Sequence, residues 1–426
     1  MLYDRWMATA KRHGGRLAVR EACGREWSFE DLALAGERAP APQGPVVTAG
    51  TGIRLLVDVL RAWRAGVPVI PTDSAAPPAG QLQGLPDWVA HAKTTSGSTG
   101  TPKLVLFRAA PIAADAEAIV STMGLDPDLP NVGVVSMAHS YGFSNLVTPL
   151  LLCGIPLLMA ESPLPGSVRA VLAAAGRAVL PAVPAMWKSW HASGFLRQDQ
   201  IALAISAGAP LPVDLERRVF ADTGIKIHNF YGASECGAIA FDRDPAPRGP
   251  DDESVGAPVE GVRLSVGADG CLEIRGPAVG DTYWPRADGR LADGVFRTTD
   301  RATIGPGHEV TLLGRAGDTM NVAGRKVEPG TVEAVIDAHP GVATCVVFGL
   351  PSRDPGRSNL IVACLRLRDS SDLESVRQRC AARLPPWQVP RRWVLVPDLR
   401  PDDRGKVSRR FWREKLLASG AEAEDP

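Results

Sequence analysis

Apolar runs alternate with amphipathic segments along the first 250 positions of the chain. The runs VPVIPTD, VGVVSMA, RAVLPAV and ALAISAG are almost continuously apolar, and helix-like sequences such as SVRAVLAAAG and PVDLERRVFADTG lie between or after them. Strands of this kind are covered on both faces, which is typical of parallel sheets whose strands are joined by helices. The pattern therefore predicts an α/β fold with parallel-rich sheets and covering helices.

The pattern changes from about Asp251 onwards. The stretch SVGAPVEGVRLSVGADGCLEIRG predicts short antiparallel strands joined by turns that contain Asp-Gly, and hence a small β-rich subdomain. After it, PGTVEAVIDAHPG and LESVRQRCAARL predict helices, whereas TCVVFGLP, NLIVACLRL and RRWVLVPDL predict strands. We expect an N-terminal domain over residues 1–313, a hinge at 314–317 and a small, mobile α+β C-terminal domain over 318–426.

Composition and charge narrow the classes of protein that the chain can belong to. Its 426 residues exceed one ordinary core, and 47 Lys+Arg balance 47 Asp+Glu, so there is no electrostatic case for nucleic-acid or membrane-surface binding. The most apolar stretch, Leu146–Ala160, is interrupted by prolines and is too short to span a bilayer. Seven scattered cysteines without a C-x-x-C spacing favour reduced thiols. We expect a soluble protein without a membrane span, located in the cytoplasm.

The segment TTSGSTGTPKLV, Thr94–Val105, carries the first chemical signal. It contains six Ser/Thr hydroxyls, two glycines and a lysine, a composition that suits a phosphate chain bound by hydroxyls and backbone N–H groups. It is not a Walker A motif, because Pro102 precedes Lys103 and no Ser or Thr follows the lysine. Taken alone, it is also compatible with a solvated loop.

Further motifs follow in a fixed order, namely SAGAPL (206–211), NFYGASECG (229–237), FRTTD (296–300), GRAGDTMNVAGRKVEPGTVE (314–333) and DDRGKVSRR (402–410). With the Thr95–Lys103 loop they resemble the motifs of the adenylate-forming superfamily, which comprises acyl-CoA synthetases, peptide-synthetase adenylation domains and luciferases. The resemblance runs from about Trp27 to Arg410 and is closest in style to acyl- and aryl-CoA synthetases. The region before the loop is shorter than is usual in that family.

The resemblance implies that these motifs bind ATP and Mg²⁺. Tyr231 would stack on the adenine, Asp300 would accept both ribose hydroxyls, and Glu235 would hold Mg²⁺, which prefers oxygen ligands. Arg315 would contact ribose or phosphate, and Lys406 would complete the site for adenylation. The implied nucleotide-binding set is Thr95, Ser96, Gly97, Ser98, Thr99, Lys103, Ala207, Gly208, Ala209, Asn229, Phe230, Tyr231, Gly232, Ser234, Asp300 and Arg315.

The reaction that the resemblance implies has two half-reactions. A substrate carboxylate attacks the α-phosphorus of Mg·ATP to give an acyl-adenylate and pyrophosphate, and a pantetheine thiol then displaces AMP to give a thioester. The first step needs no general base, because a carboxylate is ionised at neutral pH. Gly324 would let the thiol arm pass close to the backbone, and the C-terminal domain would turn about Gly317 between the steps.

The segment AHSYGFSN, Ala138–Asn145, bears on the substrate. It resembles the H-x-Y-G segment of acyl- and aryl-CoA synthetases, in which His139 and Tyr141 would flank the carboxylate. His139 thereby joins Glu235 and Lys406 in the implied catalytic set. The implied acid-binding set is His139, Tyr141, Gly142, Val183, Ser206 and Ala207.

A residue type that is absent from one part of the chain narrows the class of acid that we expect as substrate. Adenylation domains for α-amino acids usually carry an Asp near this segment for the ammonium group, whereas this chain has no Asp between Asp128 and Asp199. Small and apolar pocket positions favour an aryl or medium-sized apolar carboxylic acid.

Three alternatives stay open from the sequence. The acceptor thiol belongs either to CoA or to the phosphopantetheine arm of a carrier protein, since both present the same pantetheine. A homologue that binds nucleotide without turnover is a second reading. Singly, each motif residue also has an ordinary structural explanation, such as a surface carboxylate for Glu235 or a turn residue for Asp300.

Overall fold

The structure is a computed structural model, and it describes residues 1–72, 82–95, 103–318, 320–322, 325–351, 359–368, 372–401 and 407–418. The α/β class predicted from the sequence is confirmed, with large sheets in the first 300 residues and a small sheet near the C-terminus. All seven cysteines are free thiols.

The largest sheet has nine strands in the order β13-β12-β11-β10-β9-β7-β8-β1-β2. Its middle strands are parallel, whereas β1 pairs with β2, β11 with β12 and β12 with β13 in antiparallel fashion. The strands are β1 (Leu17–Arg20), β2 (Glu26–Ser28), β7 (Asn131–Gly133), β8 (Leu157–Met159), β9 (Ala178–Ala182), β10 (Ile201–Ser206), β11 (Ile227–Ala233), β12 (Gly237–Phe241) and β13 (Ala257–Pro258).

Helices cover both faces of this sheet, as the continuous apolar strands require. Alternate residues of β10 point to opposite faces, so Ala204 joins the cluster around Trp187 and Trp190 whereas Ile205 joins the cluster around Ile119 and Phe230. The helices of the first 310 residues are α1 (Leu2–His13), α2 (Phe29–Arg38), α3 (Ile53–Ala65), α4 (Ala109–Met123), α5 (Ser140–Gly142), α6 (Pro165–Ala175), α7 (Pro184–Ser193) and α8 (Val213–Thr223). Two π-helical stretches, Phe143–Val147 and Pro149–Cys153, follow α5.

A second sheet has five strands in the order β16-β6-β5-β4-β3. Strands β3, β4 and β5 are parallel, whereas β5 pairs with β6 and β6 with β16 in antiparallel fashion. The strands are β3 (Val46–Ala49), β4 (Val69–Thr72), β5 (His91–Thr95), β6 (Lys103–Phe107) and β16 (Thr282–Trp284).

A third sheet has the order β14-β15-β18-β17, with β19 beside β18, and it is the β-rich part predicted after Asp251. Its strands are β14 (Arg263–Val266), β15 (Cys271–Arg275), β17 (Leu291–Ala292), β18 (Val295–Ile304) and β19 (Val310–Arg315). A short hairpin of β20 (Met320–Val322) and β21 (Arg325–Val327) follows.

The C-terminal sheet has the order β22-β23-β24. Val347 and Ile361 pack on one face with the helix that contains Val332, whereas Val346 and Leu360 pack on the other face. Its elements are α9 (Pro329–Asp337), β22 (Val342–Pro351), β23 (Asn359–Leu367), α10 (Leu373–Arg383), β24 (Arg392–Leu395) and α11 (Arg409–Ala418). The helices and strands predicted for this tail are therefore present.

The chain divides into two compact units. The first comprises Met1–Ser265, Glu273–Thr298 and Ile304–Val310, and the second comprises Val266–Leu272, Thr299–Thr303 and Thr311–Pro426. No helix in the described ranges combines the length and apolarity that crossing a membrane needs.

Candidate active site

The predicted phosphate loop joins two strands of a hairpin. Strands β5 and β6 pair so that Thr95 lies opposite Lys103, and the Thr95 hydroxyl donates to the Lys103 carbonyl oxygen over 3.2 Å. The intervening residues 96–102, which include the predicted Ser96, Gly97, Ser98 and Thr99, lie outside the described part of the chain. The hairpin thus brings the loop's first threonine and its lysine together.

Lys103 lies against residues that follow β16. Its Nζ is 3.6 Å from Oδ2 of Asp288 and 5.4 Å from the ring centroid of Tyr283. Asp288 also accepts hydrogen bonds from Arg290, including one of 2.9 Å from Nη2. These bonds, together with the nearby Lys103 charge, lower the pKa of Asp288 to about 2.

Glu235 is held by the same segment through its side chain and its backbone. The Tyr283 hydroxyl donates to Oε1 of Glu235 over 3.0 Å, and the Gly280 N–H donates to the Glu235 carbonyl oxygen over 2.8 Å. Burial, followed by the Glu235 charge, raises the pKa of Tyr283, so the phenol stays protonated and the carboxylate accepts.

The residues present fit a magnesium ion shared with a phosphate chain. Glu235 offers a half-buried carboxylate, a hard oxygen ligand, and a protonated phenol orients it. Mg²⁺ in nucleotide enzymes is commonly held by one or two carboxylates together with substrate phosphates and water. The Lys103 ammonium lies 5.4 Å from the centroid of the Tyr283 ring and adds positive charge near Glu235.

The turn between β11 and β12 lies beside the segment that begins at His139. The hydroxyls of Ser234 and Ser140 are 2.8 Å apart, which connects the predicted phosphate-binding serine to the predicted acid-binding segment. Nδ1 of His139 accepts from the Tyr141 N–H over 3.3 Å and caps the short helix α5. A Cβ at Gly142 would collide with the Ser136 carbonyl, so only glycine fits there.

Several predicted acid- and adenine-binding residues meet at the carboxyl ends of the parallel strands. In register, Ser206 pairs with Ala182 of β9 and with Asn229 of β11. The Tyr141 hydroxyl donates to the Ala182 carbonyl over 3.4 Å, and the Tyr141 ring lies 6.1 Å from that of Phe230. Ligands bind in open α/β sheets at such strand ends. Residues of the same region are Val183, Ala207, Gly208, Ala209, Tyr231 and Gly232.

Two polar groups of this region differ in their partners. The Asn229 side chain donates to the Ser254 carbonyl over 3.3 Å. The Ser206 hydroxyl is fully buried and has no hydrogen-bond partner within the described residues. Burial raises the pKa of Tyr141, so this phenol remains neutral.

A buried carboxylate that sequence reasoning missed joins three of the motif-bearing segments. Asp115, in α4, accepts from the Ser144 hydroxyl over 2.5 Å and from the Ala238 N–H over 2.9 Å. Lys93 of β5 lies 3.9 Å from the same carboxylate and donates to Ser144 over 3.3 Å. An acidic residue within the apolar sequence APIAADAEAIV was the available signal.

A second buried charge cluster, also missed, supports the segment after Ser206. Arg248 donates to the Leu211 carbonyl over 2.8 Å and to Oε2 of Glu216 over 2.7 Å. Lys226 also pairs with Glu216, and it pairs with Asp242 over 2.6 Å. No local motif marks these residues, because their contacts form only in the folded chain.

The second unit holds two of the predicted nucleotide ligands. Arg315 Nε donates to Oδ1 of Asp300 over 3.0 Å, and the Ala316 N–H donates to the Thr299 carbonyl over 2.8 Å. The structure therefore brings Asp300 and Arg315 together within this unit. The predicted Gly324 and Lys406 lie outside the described residues.

Comparison with known proteins identifies the family. The model of the AMP-binding enzyme family matches residues 52–284, more than half of the chain, and that of the AMP-binding enzyme C-terminal domain matches residues 331–406. The chain therefore belongs to the AMP-binding enzymes, within the adenylate-forming superfamily, and the membership predicted from its motifs is confirmed.

Curated relatives are 27–29% identical to this chain. A probable non-canonical nonribosomal peptide synthetase CymA of Salinispora arenicola is 27% identical over 76% of the chain, and p-hydroxybenzoic acid–AMP ligase FadD22 of Mycobacterium marinum is 29% identical over 78%. 2-Hydroxy-7-methoxy-5-methyl-1-naphthoate–CoA ligase of Streptomyces carzinostaticus is 27% identical over 90% of the chain and 73% of its own length. The chain spans only 4% of CymA and 50% of FadD22.

Solved structures show the same fold. ATP-bound MatB from Rhodopseudomonas palustris superposes with a TM-score of 0.84 at 22% identity, covering 97% of this chain and 98% of that one. The anthranilate CoA ligase AuaEII in complex with anthranoyl-AMP superposes with a TM-score of 0.83 at 18% identity, covering 98% of both chains. At these identities the likeness establishes the fold alone.

Proposed function

We propose that this protein is an acid–thiol ligase that activates an aryl or medium-sized apolar carboxylic acid with ATP. The acid becomes an acyl-adenylate with release of pyrophosphate, and its acyl group then passes to a pantetheine thiol, that of CoA. The observation that carries the proposal is that Lys103 and Glu235 both contact Tyr283, in a chain that belongs to the AMP-binding family. The two residues come from the loop hairpin and the β11–β12 turn, the two motifs assigned to the phosphates.

The first half-reaction requires two anions to approach each other. Cations and hydrogen-bond donors must therefore offset charge on the α-phosphoryl group and on the departing pyrophosphate. We assign this role to Lys103 and to the hydroxyls of Thr95 and Ser234, and Lys406 would add a second cation. Mg²⁺, held by Glu235, supplies further charge neutralisation when it is bound. The acid attacks as its carboxylate, so the mechanism assigns no residue to proton removal.

We assign a role in the second half-reaction to the C-terminal domain. We place the hinge at residues 314–317, between the N-terminal domain of residues 1–313 and the C-terminal domain of 318–426. Rotation of the latter would withdraw Lys406 and present the segment around Gly324 to the thiol. Among the described residues, and apart from its chain neighbours, no heavy atom lies within 4 Å of the position that a Cβ would take at Gly317, so a side chain would fit there.

Three features support an aryl acid that carries a polar substituent. The Tyr141 and Phe230 rings lie 6.1 Å apart near the strand ends, and an aryl acid would pack against them. The buried Ser206 hydroxyl has no hydrogen-bond partner among the described residues, and a hydroxyl or amine on the ring of the acid would provide one. The relatives named above include ligases of a hydroxybenzoate and a hydroxynaphthoate.

The test is pyrophosphate release from Mg·ATP across matched acids, with and without CoA. The panel pairs benzoate with salicylate, p-hydroxybenzoate and anthranilate, and adds octanoate and phenylalanine. Release with an aryl or medium-chain acid, accelerated by CoA and accompanied by the acyl-CoA product, is expected. Glu235→Ala serves as the site-defective control. Absence of release with every acid refutes the proposed activation, and release with phenylalanine alone refutes the proposed substrate class.

Loading of a carrier protein is the second candidate for the thiol step, and the nonribosomal peptide synthetase among the relatives favours it. The same protein is incubated with the acid, ATP and a phosphopantetheinylated carrier protein in place of CoA. Acylation of the carrier without any acyl-CoA formation would replace CoA with the carrier in the proposal. A reading as an inactive nucleotide-binding homologue predicts ATP binding without pyrophosphate release.

A further inference from the structure

Tyr283 contacts both motif residues that the proposed function assigns to the metal–triphosphate. Its hydroxyl donates to Oε1 of Glu235 over 3.0 Å, and its ring centroid lies 5.4 Å from Nζ of Lys103. Only 5% of the residue is exposed, so both contacts are made by a side chain with little freedom to reorient. One side chain therefore contacts a carboxylate and an ammonium group from two separate motifs.

The backbone around Tyr283 makes this position rigid. Strand β16 pairs with β6, and Tyr283 lies opposite Val105, two residues beyond Lys103. The Asp281 N–H donates to the Leu106 carbonyl over 2.9 Å, and its carboxylate accepts from both the N–H and Nε of Arg108. The strand that carries the phenol is thus fixed to the strand that carries the lysine.

The connection to Glu235 is equally direct. The Gly280 N–H bonds the Glu235 carbonyl, and a Cβ at Gly280 would lie 2.8 Å from Cγ1 of Val105 and 3.0 Å from that carbonyl oxygen. Glycine is therefore required for the close approach of the two segments. Backbone and side-chain contacts together hold Glu235 against β16.

We propose that Tyr283 is a positioning residue for the phosphates and their metal ion. Its hydroxyl orients the Glu235 carboxylate for metal binding, and its ring keeps the Lys103 ammonium beside the same phosphates. The inference rests on the proposed function, because it concerns a residue that supports the proposed nucleotide and metal site. Groups that orient a metal ligand through hydrogen bonds typically change metal affinity about 10–100-fold when removed.

Two substitutions separate the roles of the hydroxyl and the ring. Tyr283→Phe removes only the hydrogen bond to Glu235 and retains an aromatic face for Lys103. Tyr283→Leu removes both contacts. Tyr3→Phe is the matched control, because Tyr3 is a half-buried tyrosine in α1, outside the site.

The measurement is ATP binding by titration calorimetry without any acid, in saturating Mg²⁺ and in EDTA. The ratio of the two dissociation constants gives the enhancement of binding by the metal. We expect Tyr283→Phe to lower this enhancement about 10-fold while metal-free binding stays unchanged. Tyr283→Leu should also weaken metal-free binding, and Tyr3→Phe should match the wild type in both conditions.

A double variant tests whether the phenol acts through Glu235. Glu235→Gln should itself lower the metal enhancement, and adding Tyr283→Phe to it should cause no further loss, because the hydrogen bond then has no metal-binding carboxylate to orient. Additive losses overturn the inference. Wild-type metal enhancement in Tyr283→Phe also overturns it. So does an equal rise in both dissociation constants together with a lowered unfolding temperature. A wild-type protein without metal-dependent ATP binding overturns the proposed function, and the inference with it.

Discussion

Replacing Asp115 by asparagine tests the buried network beneath the candidate site. Asp115 is 3% exposed and Lys93 is 4% exposed, and their charged groups lie 3.9 Å apart. Asparagine is nearly isosteric, but it removes the negative charge and leaves only one acceptor oxygen for the Ser144 hydroxyl and the Ala238 N–H. The substitution therefore leaves a buried ammonium uncompensated and one donor without its acceptor.

The magnitude follows from the burial. Removing one partner of a buried ion pair costs about 3–5 kcal/mol, because the remaining charge stays out of water. At about 3 kcal/mol the unfolding temperature of the first unit, which is larger than an average domain, falls by roughly 5 °C. Asp128→Asn is the control, since Asp128 is 78% exposed and its pair with Arg16 is worth about 0–1 kcal/mol.

Differential scanning fluorimetry of the two variants and of Asp115→Asn/Lys93→Met provides the assay. The double variant also removes the ammonium, so it should recover most of the lost stability. A shift for Asp115→Asn no larger than that for Asp128→Asn would refute the argument. A double variant less stable than Asp115→Asn would show instead that Lys93 stabilises the fold through its contacts with Ser144 and the Phe107 ring.

Three further predictions concern other parts of the proposed mechanism. Lys406→Ala should lower the rate of acyl-adenylate formation by about 10²–10³-fold, because it removes a charge that stabilises the transition state. Thioester formation from supplied acyl-adenylate should stay nearly intact. An equal loss in both steps contradicts the assigned role. Arg248→Met should raise the KM for ATP more than it lowers kcat, because Arg248 supports the Leu211 carbonyl, and an unchanged KM in steady-state kinetics counts against that role. The pKa of Asp288 is lowered to about 2, so its ionised form stabilises the fold above about pH 4, and this contribution is lost as the pH falls towards 2. Asp288→Asn should therefore flatten the dependence of the unfolding temperature on pH in this window. A dependence parallel to that of the wild type contradicts the prediction.

The fold was predictable because its signals are local. Continuously apolar segments such as RAVLPAV, each followed by a helical pattern, are sufficient to indicate strands covered on both faces. The break after Asp251 predicted the change to antiparallel strands, because Asp-Gly turns are short-range signals. These predictions needed no knowledge of which segments meet.

The candidate site was predictable only in part. The loop ending at Lys103, the Glu235 turn and the His139 segment were recognisable as ordered motifs, and the structure brings their described residues to neighbouring strand ends and turns. Tyr283 was missed, since it lies 48 residues from Glu235 and its own surroundings, GDTYWPR, contain no chemical pattern. Lys93 was also missed, since its strand, His91–Thr95, has the largely polar sequence HAKTT and does not mark the lysine as buried.

The missed residues have a common physical role. The described motif residues lie at strand ends and turns, where the backbone alone would not hold a polar side chain against the repulsion and desolvation that the proposed triphosphate would impose. In each case a buried polar side chain from a distant segment holds the motif by a hydrogen bond. Tyr283 bonds Glu235, Asp115 bonds the N–H of Ala238 in β12, and Arg248 bonds the Leu211 carbonyl. Changes at these supporting positions should therefore alter nucleotide and metal affinity even though none of them belongs to a recognisable motif.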